Sequence, residues 1–363
     1  MNICDYVDLR GDLTFAERPF NEVDNLIFSE LSYVEMDDFI SEDGEKSMTV
    51  SELREAYMTI KNRYEYAFSD PWPLLDRCGR SDRYGKSVVK FFVKRFDSEK
   101  QFGFTAATFI FDENTMYVAY RGTDGKLDGW RECFNLSYLM ETEGQKEALD
   151  YLERVATHTS EDIIVGGHSK GGNFAEYAAM FVDESIRGRI KAIYTNDGPG
   201  FGDAIIESDN YKEILPKTLK IMPESSIVGS LLKGKETVKV IRADGKGPIQ
   251  HDPFHWRVMA NGFEPSDRKP SADFTDETLN LWIEEMNEDE RQEFTDAVFD
   301  FLYDTGIYDF SDIHKKKIKT AVALTKAQFG MDPDRRKTIR DGIKKLRLAA
   351  KRTRKSNRRG GKK

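Results

Sequence analysis

The sequence predicts an α/β protein, a mainly parallel sheet with helices on both faces and with helical additions at the N- and C-terminal ends. Three observations carry this expectation. From residue 101 the apolar pattern changes from helical spacing to short β-branched and aromatic runs. Those runs then alternate with helical stretches, the order that buries a parallel sheet on both faces. One of them, Ile163–Gly167, passes directly into a glycine-rich turn, Gly166-Gly167-His168-Ser169-Lys170-Gly171-Gly172, and from there into a helical segment.

Taken in order, Phe20–Val34 and Thr49–Tyr64 place apolar residues three and four apart with acidic residues near their starts, so both read as amphipathic helices. FGFTAATFIF and TMYVAYRGT, joined by Asp112, Glu113 and Asn114, read as a hairpin. Lys146–Ala156 is helical, Ile163–Gly167 a strand, Gly172–Phe181 a helix and Lys191–Thr195 a strand. Asp203–Glu207 is a short helix, and Leu219–Met222 and Thr237–Arg242 are two further strands. From Asp273 onward two amphipathic helices are expected, then a helical but basic stretch from Ile313 to Ala350. The expected organisation is an N-terminal helical region packed on the core (1–100), the α/β core (101–262), a C-terminal helical region (263–350) and a disordered basic tail (351–363).

With 363 residues, 39% of them hydrophobic, the chain has enough apolar material for a large core. The net charge of −9 hides an asymmetry: from Lys315 to the C-terminus 20 Lys and Arg face 3 Asp, which leaves a net of −26 on the preceding residues. Such a tail either touches the acidic body or seeks an anionic membrane surface. It lacks the interleaved aromatics of a nucleic-acid binder, so no specific nucleic acid is expected. Cys4, Cys78 and Cys133 are too widely spaced for a disulfide framework or a zinc site, which suits a reducing compartment and no metal. The opening MNICDYVDLRGD lacks the basic and apolar regions of a secretion signal. No apolar run approaches the length of a bilayer span. A cytoplasmic protein, at most peripheral to a membrane, is the expectation.

Gly167-His168-Ser169-Lys170-Gly171 is a G-x-S-x-G pentapeptide between a strand and a helix, the context in which such a serine is a nucleophile. The spacings of phosphate-binding glycine loops are absent. A serine needs a base, and the chain has five histidines. His168 sits beside the serine with its ring expected to point away, His158 precedes the strand, and His314 lies in the basic segment. His251 and His255 remain, in Q-H-D-P-F-H-W after the last predicted strand. Carboxylates just past strand ends are Asp197, Glu224 and Asp244. The loop Gly122-Thr123, closing Y-R-G-T, offers a backbone N–H and the Thr123 hydroxyl to an oxyanion, with the Lys170 N–H as the second donor.

These pieces together resemble the class 3 lipase branch of the α/β-hydrolases and, more closely, the Mbeg1-like family. The resemblance runs through V-A-Y-R-G-T at Val118–Thr123, G-W at Gly129, G-H-S-K-G-G-N at Gly167–Asn173, T-N-D-G-P-G-F at Thr195–Phe201, S-S-I-V at Ser225–Val228 and H-D-P-F-H-W at His251–Trp256. It implies the α/β-hydrolase fold, with Ser169 as nucleophile, Thr123 in the oxyanion hole and His251, not His255, as base. In that fold one strand separates nucleophile and acid, which prefers Glu224, with Asp197 second. Two positions depart from the lipase pattern. Ser226 stands where the aspartate before I-V belongs, and Lys170 stands where leucine is common, implying a less apolar mouth.

The expected activity is therefore that of a serine hydrolase cleaving carboxylic esters, small or lipid, through an acyl-enzyme without a cofactor. The competing expectations are a non-catalytic binding module on the same scaffold, and a lipid-directed acyl hydrolase or acyltransferase recruited by the basic tail.

Overall fold

In the computed structural model, which describes residues 1–60, 69–97, 102–123, 126–307 and 330–360, eight strands stand side by side in sequential order. They are β1 (Met48–Thr49), β2 (Val88–Asp97), β3 (Phe102–Ile110), β4 (Thr115–Tyr120), β5 (Asp162–His168), β6 (Ile190–Asn196), β7 (Thr218–Pro223) and β8 (Thr237–Ile241). The first four pair antiparallel, and from β4 to β8 every pair is parallel. Parallel neighbours need crossovers. Helices α6 (Glu143–Thr157) and α7 (Lys170–Phe181) supply the first two, and the short α8 (Glu184–Arg187), α9 (Asp203–Ile206) and α10 (Asp209–Ile214) fill the chain up to β7.

Because side chains alternate across a strand, β4 splits its apolar residues between two cores. Tyr117 and Ala119 pack with α1 (Ile3–Arg10), α2 (Glu22–Leu31), α3 (Val50–Met58) and α4 (Trp72–Arg80) on one face. Met116, Val118 and Tyr120 pack with α6 and α7 on the other. This is the predicted α/β architecture. The helices on the first face are capped as the sequence signals: Asn21 accepts from Val23 and Asp24, and Thr49 from Glu52, each in a capping box. The buried Arg83 guanidinium bonds both Asp24 oxygens and the carbonyls of Leu13, Thr14, Arg18 and Pro19, which ties the N-terminal chain and α2 to the segment between α4 and β2.

Two expectations about organisation need correction. The boundary at residue 100 cuts through the sheet, since β1 and β2 precede it and β2 pairs along its length with β3. Strand β2 is hard to read because its register shifts between Lys90 and Val93, with Phe91 at φ +56°. That irregularity destroys the strict alternation that marks a strand. Residues 351–360, in the segment expected to be disordered, continue a helix. After α5 (Leu127–Asn135), α11 (Pro270–Glu284) and α12 (Glu288–Asp304), the described residues close with α13 (Pro333–Gly360). Its Gly342, Ala349 and Thr353 are buried. Trp282 Nε1 donates to the Gly342 carbonyl at 2.9 Å, and Lys345 and Arg352 pair with Glu290 and Glu285. Part of the basic charge thus neutralises the acidic helices beside it. Residues 313–329 of the expected basic helix and 61–64 of the one expected to reach Tyr64 lie outside the described residues, as do Asp124 and Gly125. Among the described residues no helix is long and apolar enough to cross a membrane.

Candidate active site

Strand β5 delivers the serine. Ser169 sits at the N-cap of α7 with φ +58° and ψ −131°, a conformation that costs a non-glycine residue free energy and persists only where the surroundings enforce it. The enforcement is visible in the flanking glycines. A Cβ at Gly167 would lie 2.4 Å from the Tyr120 carbonyl oxygen and from Gly171, and one at Gly171 would lie 2.0 Å from that same oxygen. The serine occurs among glycines because strand end, turn and helix start are packed backbone to backbone.

His251 ends a 3₁₀ turn, Gly247–His251, beyond β8. Its Nε2 lies 3.0 Å from Ser169 Oγ, and its Nδ1 lies 2.6 Å from Asp197 Oδ2. A carboxylate accepts from Nδ1–H, so Nε2 carries the lone pair that accepts from the serine hydroxyl. Asp197 is fully buried just past β6, at φ +52°. Its Oδ1 accepts from the Ser226 hydroxyl and from the Gly229 N–H at 3.2 Å. The sequence preference for Glu224 is not met. Glu224, past β7, accepts from Ser266 at 2.5 Å and pairs with Lys269 at 3.2 Å. Burial works to raise its carboxyl, and the bonds from Ser266, Lys269 and Gln250 outweigh it, holding Glu224 below the usual range. The acid that reaches His251 comes from the strand adjacent to β5, and Ser226, at the position of the missing aspartate, supports that carboxylate.

His168 also differs from expectation. Its ring packs on that of His251 with centroids 4.7 Å apart. Its Nε2 donates to the His251 carbonyl at 2.9 Å, and its Nδ1 accepts from the Tyr33 hydroxyl at 3.2 Å. The same hydroxyl accepts from the Gly122 N–H at 3.0 Å. Burial, aided by His251, pushes His168 well below the ordinary histidine value and keeps it neutral. Tyr33 and His168 thus tie the oxyanion-type loop, the serine turn and the histidine loop together.

Gly122 abuts the serine so closely that a Cβ there would lie 2.9 Å from Ser169 Cβ. Thr123 follows, buried, with its hydroxyl 3.5 Å from the Gly129 carbonyl. Lys170 opens α7, where backbone N–H groups lack intrahelical acceptors. Its side chain does not make a polar mouth: the ammonium is buried, paired with Glu132 of α5 and bonded to the Gly103 carbonyl at 2.9 Å. Glu132 also accepts from the Gly144 N–H, so this pair pins α5 and the start of α6 to the serine turn.

The space in front of Ser169 is a recess also lined by His251, Thr123, Trp130, Tyr33 and Glu30. Its volume of about 20 Å³ admits about one water-sized group. Glu30, Tyr33, Glu132 and the supporting role of Ser226 were not found by sequence reasoning. Of these only Ser226 left a signal, as the departure from the lipase pattern. His255 stays near Asp252 at 3.6 Å, and Asp244 bonds Arg257 on the surface. Among the described residues no cluster of His, Cys, Asp and Glu is arranged to hold a metal ion.

Two solved structures are similar in fold at a low level. The crystal structure of M37 lipase aligns at a TM-score of 0.37 and 16% identity, covering 58% of this chain and 70% of that one. The native Rhizomucor miehei lipase propeptide complex aligns at 0.33 and 15%, covering 48% and 70%. No curated protein sequence matches. The model of the Mbeg1-like family matches residues 78–300, which is more than half of the sequence, and the chain therefore belongs to the Mbeg1-like family.

Proposed function

We propose that this protein is a serine hydrolase acting on carboxylic esters. The observation that carries the reading is the unbroken hydrogen-bonded series from Asp197 through His251 to Ser169, ending on a serine in a strained turn at a helix N-terminus. In the first half-reaction Ser169 Oγ attacks the ester carbonyl while His251 Nε2 takes the serine proton. Asp197 holds the imidazole in the required tautomer and stabilises the imidazolium. The carbonyl oxygen gains negative charge in front of the Thr123 and Lys170 N–H groups and the α7 N-terminus. As the C–O bond to the alcohol breaks, His251 returns its proton to the leaving oxygen. Water then attacks the acyl-enzyme, losing a proton to His251, and the serine is released with the acid.

The test is labelling by a fluorescent fluorophosphonate, which reacts with an activated serine without knowledge of substrate. The expected result is labelling of the wild type and none of Ser169→Ala. Ester hydrolysis in that variant should fall on the order of 10⁶-fold. A folded wild type that resists the reagent, and an ester hydrolysis that survives Ser169→Ala, would each remove this reading and leave a binding role for the scaffold.

A further inference from the structure

The recess in front of Ser169 has an acidic and aromatic wall that the hydrolytic steps do not use. Two of its lining residues are carboxylic acids, Glu30 at the end of α2 and Asp252 beside the histidine, and three are aromatic, Tyr33, Trp130 and Phe254. No lysine or arginine lines it among the described residues. Glu30 is 5% exposed, and its Oε1 is buried with no hydrogen-bond partner. His168 Nδ1 lies 3.4 Å from it and is already engaged by Tyr33. Asp252 accepts at both oxygens, from the Ser69 hydroxyl to Oδ2 at 2.5 Å and from the Phe254 N–H to Oδ1 at 3.0 Å.

A buried carboxyl oxygen without a donor is costly, and its retention beside a nucleophile asks for a ligand that supplies one. An unpaired acid, a second acid and ring faces together match a cation. The recess is narrow, with a volume of about 20 Å³, which favours a compact cationic head over a bulky one. We propose that this recess is a subsite for a primary ammonium group, so that the ester cleaved at Ser169 carries an amine. The substrate class rests on the hydrolase reading, whereas the ammonium site itself is testable without turnover.

The proton inventory makes the site measurable. Burial, reinforced by Asp252 and opposed by Arg121 beyond β4, raises the Glu30 carboxyl well above its ordinary value. The other titratable side chains facing it are the neutral His168 and the Tyr33 hydroxyl. A carboxyl raised in this way keeps its proton to higher pH than an ordinary glutamate, and an ammonium that binds its ionised form expels that proton. Where Glu30 is protonated, affinity should rise with pH by up to about tenfold per unit.

The experiment compares hexylammonium with 1-hexanol by calorimetry in buffers of different ionisation enthalpy, on wild type and on Glu30→Gln. Glutamine matches the shape of the uncharged acid, so the fold should persist. The expected result is binding of hexylammonium about tenfold or more tighter than hexanol, with release of up to about one proton per ligand. Both the preference and the proton release should vanish in Glu30→Gln. Equal binding of the two ligands, absence of proton release, or a pH slope that survives Glu30→Gln would each overturn the proposal. If Glu30→Gln failed to fold, the wild-type preference, proton count and pH slope would still decide. Failure of fluorophosphonate labelling with these results intact would remove the hydrolase and leave an ammonium-binding protein.

Discussion

Strands β6 and β7 lie side by side and parallel, and a carboxylate stands just past each C-terminal end. Asp197 and Glu224 occupy these equivalent places, yet the local structures differ. Asp197 is fully buried, in a left-handed conformation at φ +52°, and accepts from an imidazole, a hydroxyl and a backbone N–H. Glu224 has ordinary backbone, and its carboxylate serves Ser266 and the half-exposed Lys269. Ser169, just past the end of β5, is likewise a non-glycine residue at positive φ. Neighbouring strands therefore present two strained residues to one histidine, and the unstrained carboxylate one strand further out is left with a structural task.

The largest expected effect breaks this comparison directly. Asp197→Asn keeps the shape but accepts poorly from Nδ1–H, so kcat for an ester should drop by about 10⁴-fold. If Asp197→Asn were harmless and Glu224→Gln were not, the assignment would be reversed. Next in size is Thr123→Ala, expected to lower kcat by roughly 10²-fold with little change in KM if the hydroxyl as well as the N–H faces the oxyanion. An unchanged rate would confine that residue's part to its backbone.

Ser226→Ala tests the support of the acid. It removes one donor to Asp197 Oδ1 and leaves the Gly229 N–H, so kcat should fall about tenfold, in keeping with one hydrogen bond to a charged acceptor. A fall as large as that of Asp197→Asn would mean that the carboxylate swings away altogether.

What the sequence revealed of this arrangement follows from how local each signal is. The serine turn was legible because its glycines are enforced by contacts within a few residues of each other and with the end of β4. His251 was legible by elimination and by resemblance. The acid was not, because counting strands assigns a place in the fold and not a direction to a side chain. The step from Ser226 to Asp197 spans two strand ends. Glu30 and Tyr33 were invisible for a related reason: they belong to an amphipathic helical segment whose periodicity reads as core, and only the packing of that segment against β5 turns them toward the serine. The basic C-terminal segment misled in the opposite sense, since its charge suggested disorder from residue 351, where the helix continues to Gly360 with Thr353 buried.

His168 gives an effect on stability rather than on rate. Its folded value lies below that of the unfolded chain, so the unfolded state binds the extra proton first as pH falls. Stability should therefore be intact above about pH 6.5, the ordinary histidine value, and decline below it with this residue contributing up to about 1.4 kcal/mol per pH unit. Denaturant titrations of His168→Gln should show a flatter acid limb than the wild type. An unchanged limb would mean that the ring titrates in the fold as it does in the unfolded chain.

The smallest expected effect is the most informative about β7. Glu224→Gln keeps an acceptor for Ser266 and weakens the pair with Lys269, whose side chain is 46% exposed and therefore well screened. The carbonyl of Glu224 continues to accept from the Lys269 N–H whatever the side chain. Loss of one charge-assisted bond at a partly covered site should cost about 1 kcal/mol in thermal or denaturant unfolding, while ester hydrolysis stays within about twofold of wild type. A rate loss approaching that of Asp197→Asn would show that Glu224 reaches the histidine during turnover, through a rearrangement in which it leaves Ser266 and Lys269. The two strand ends would then share the work that Asp197 is assigned alone.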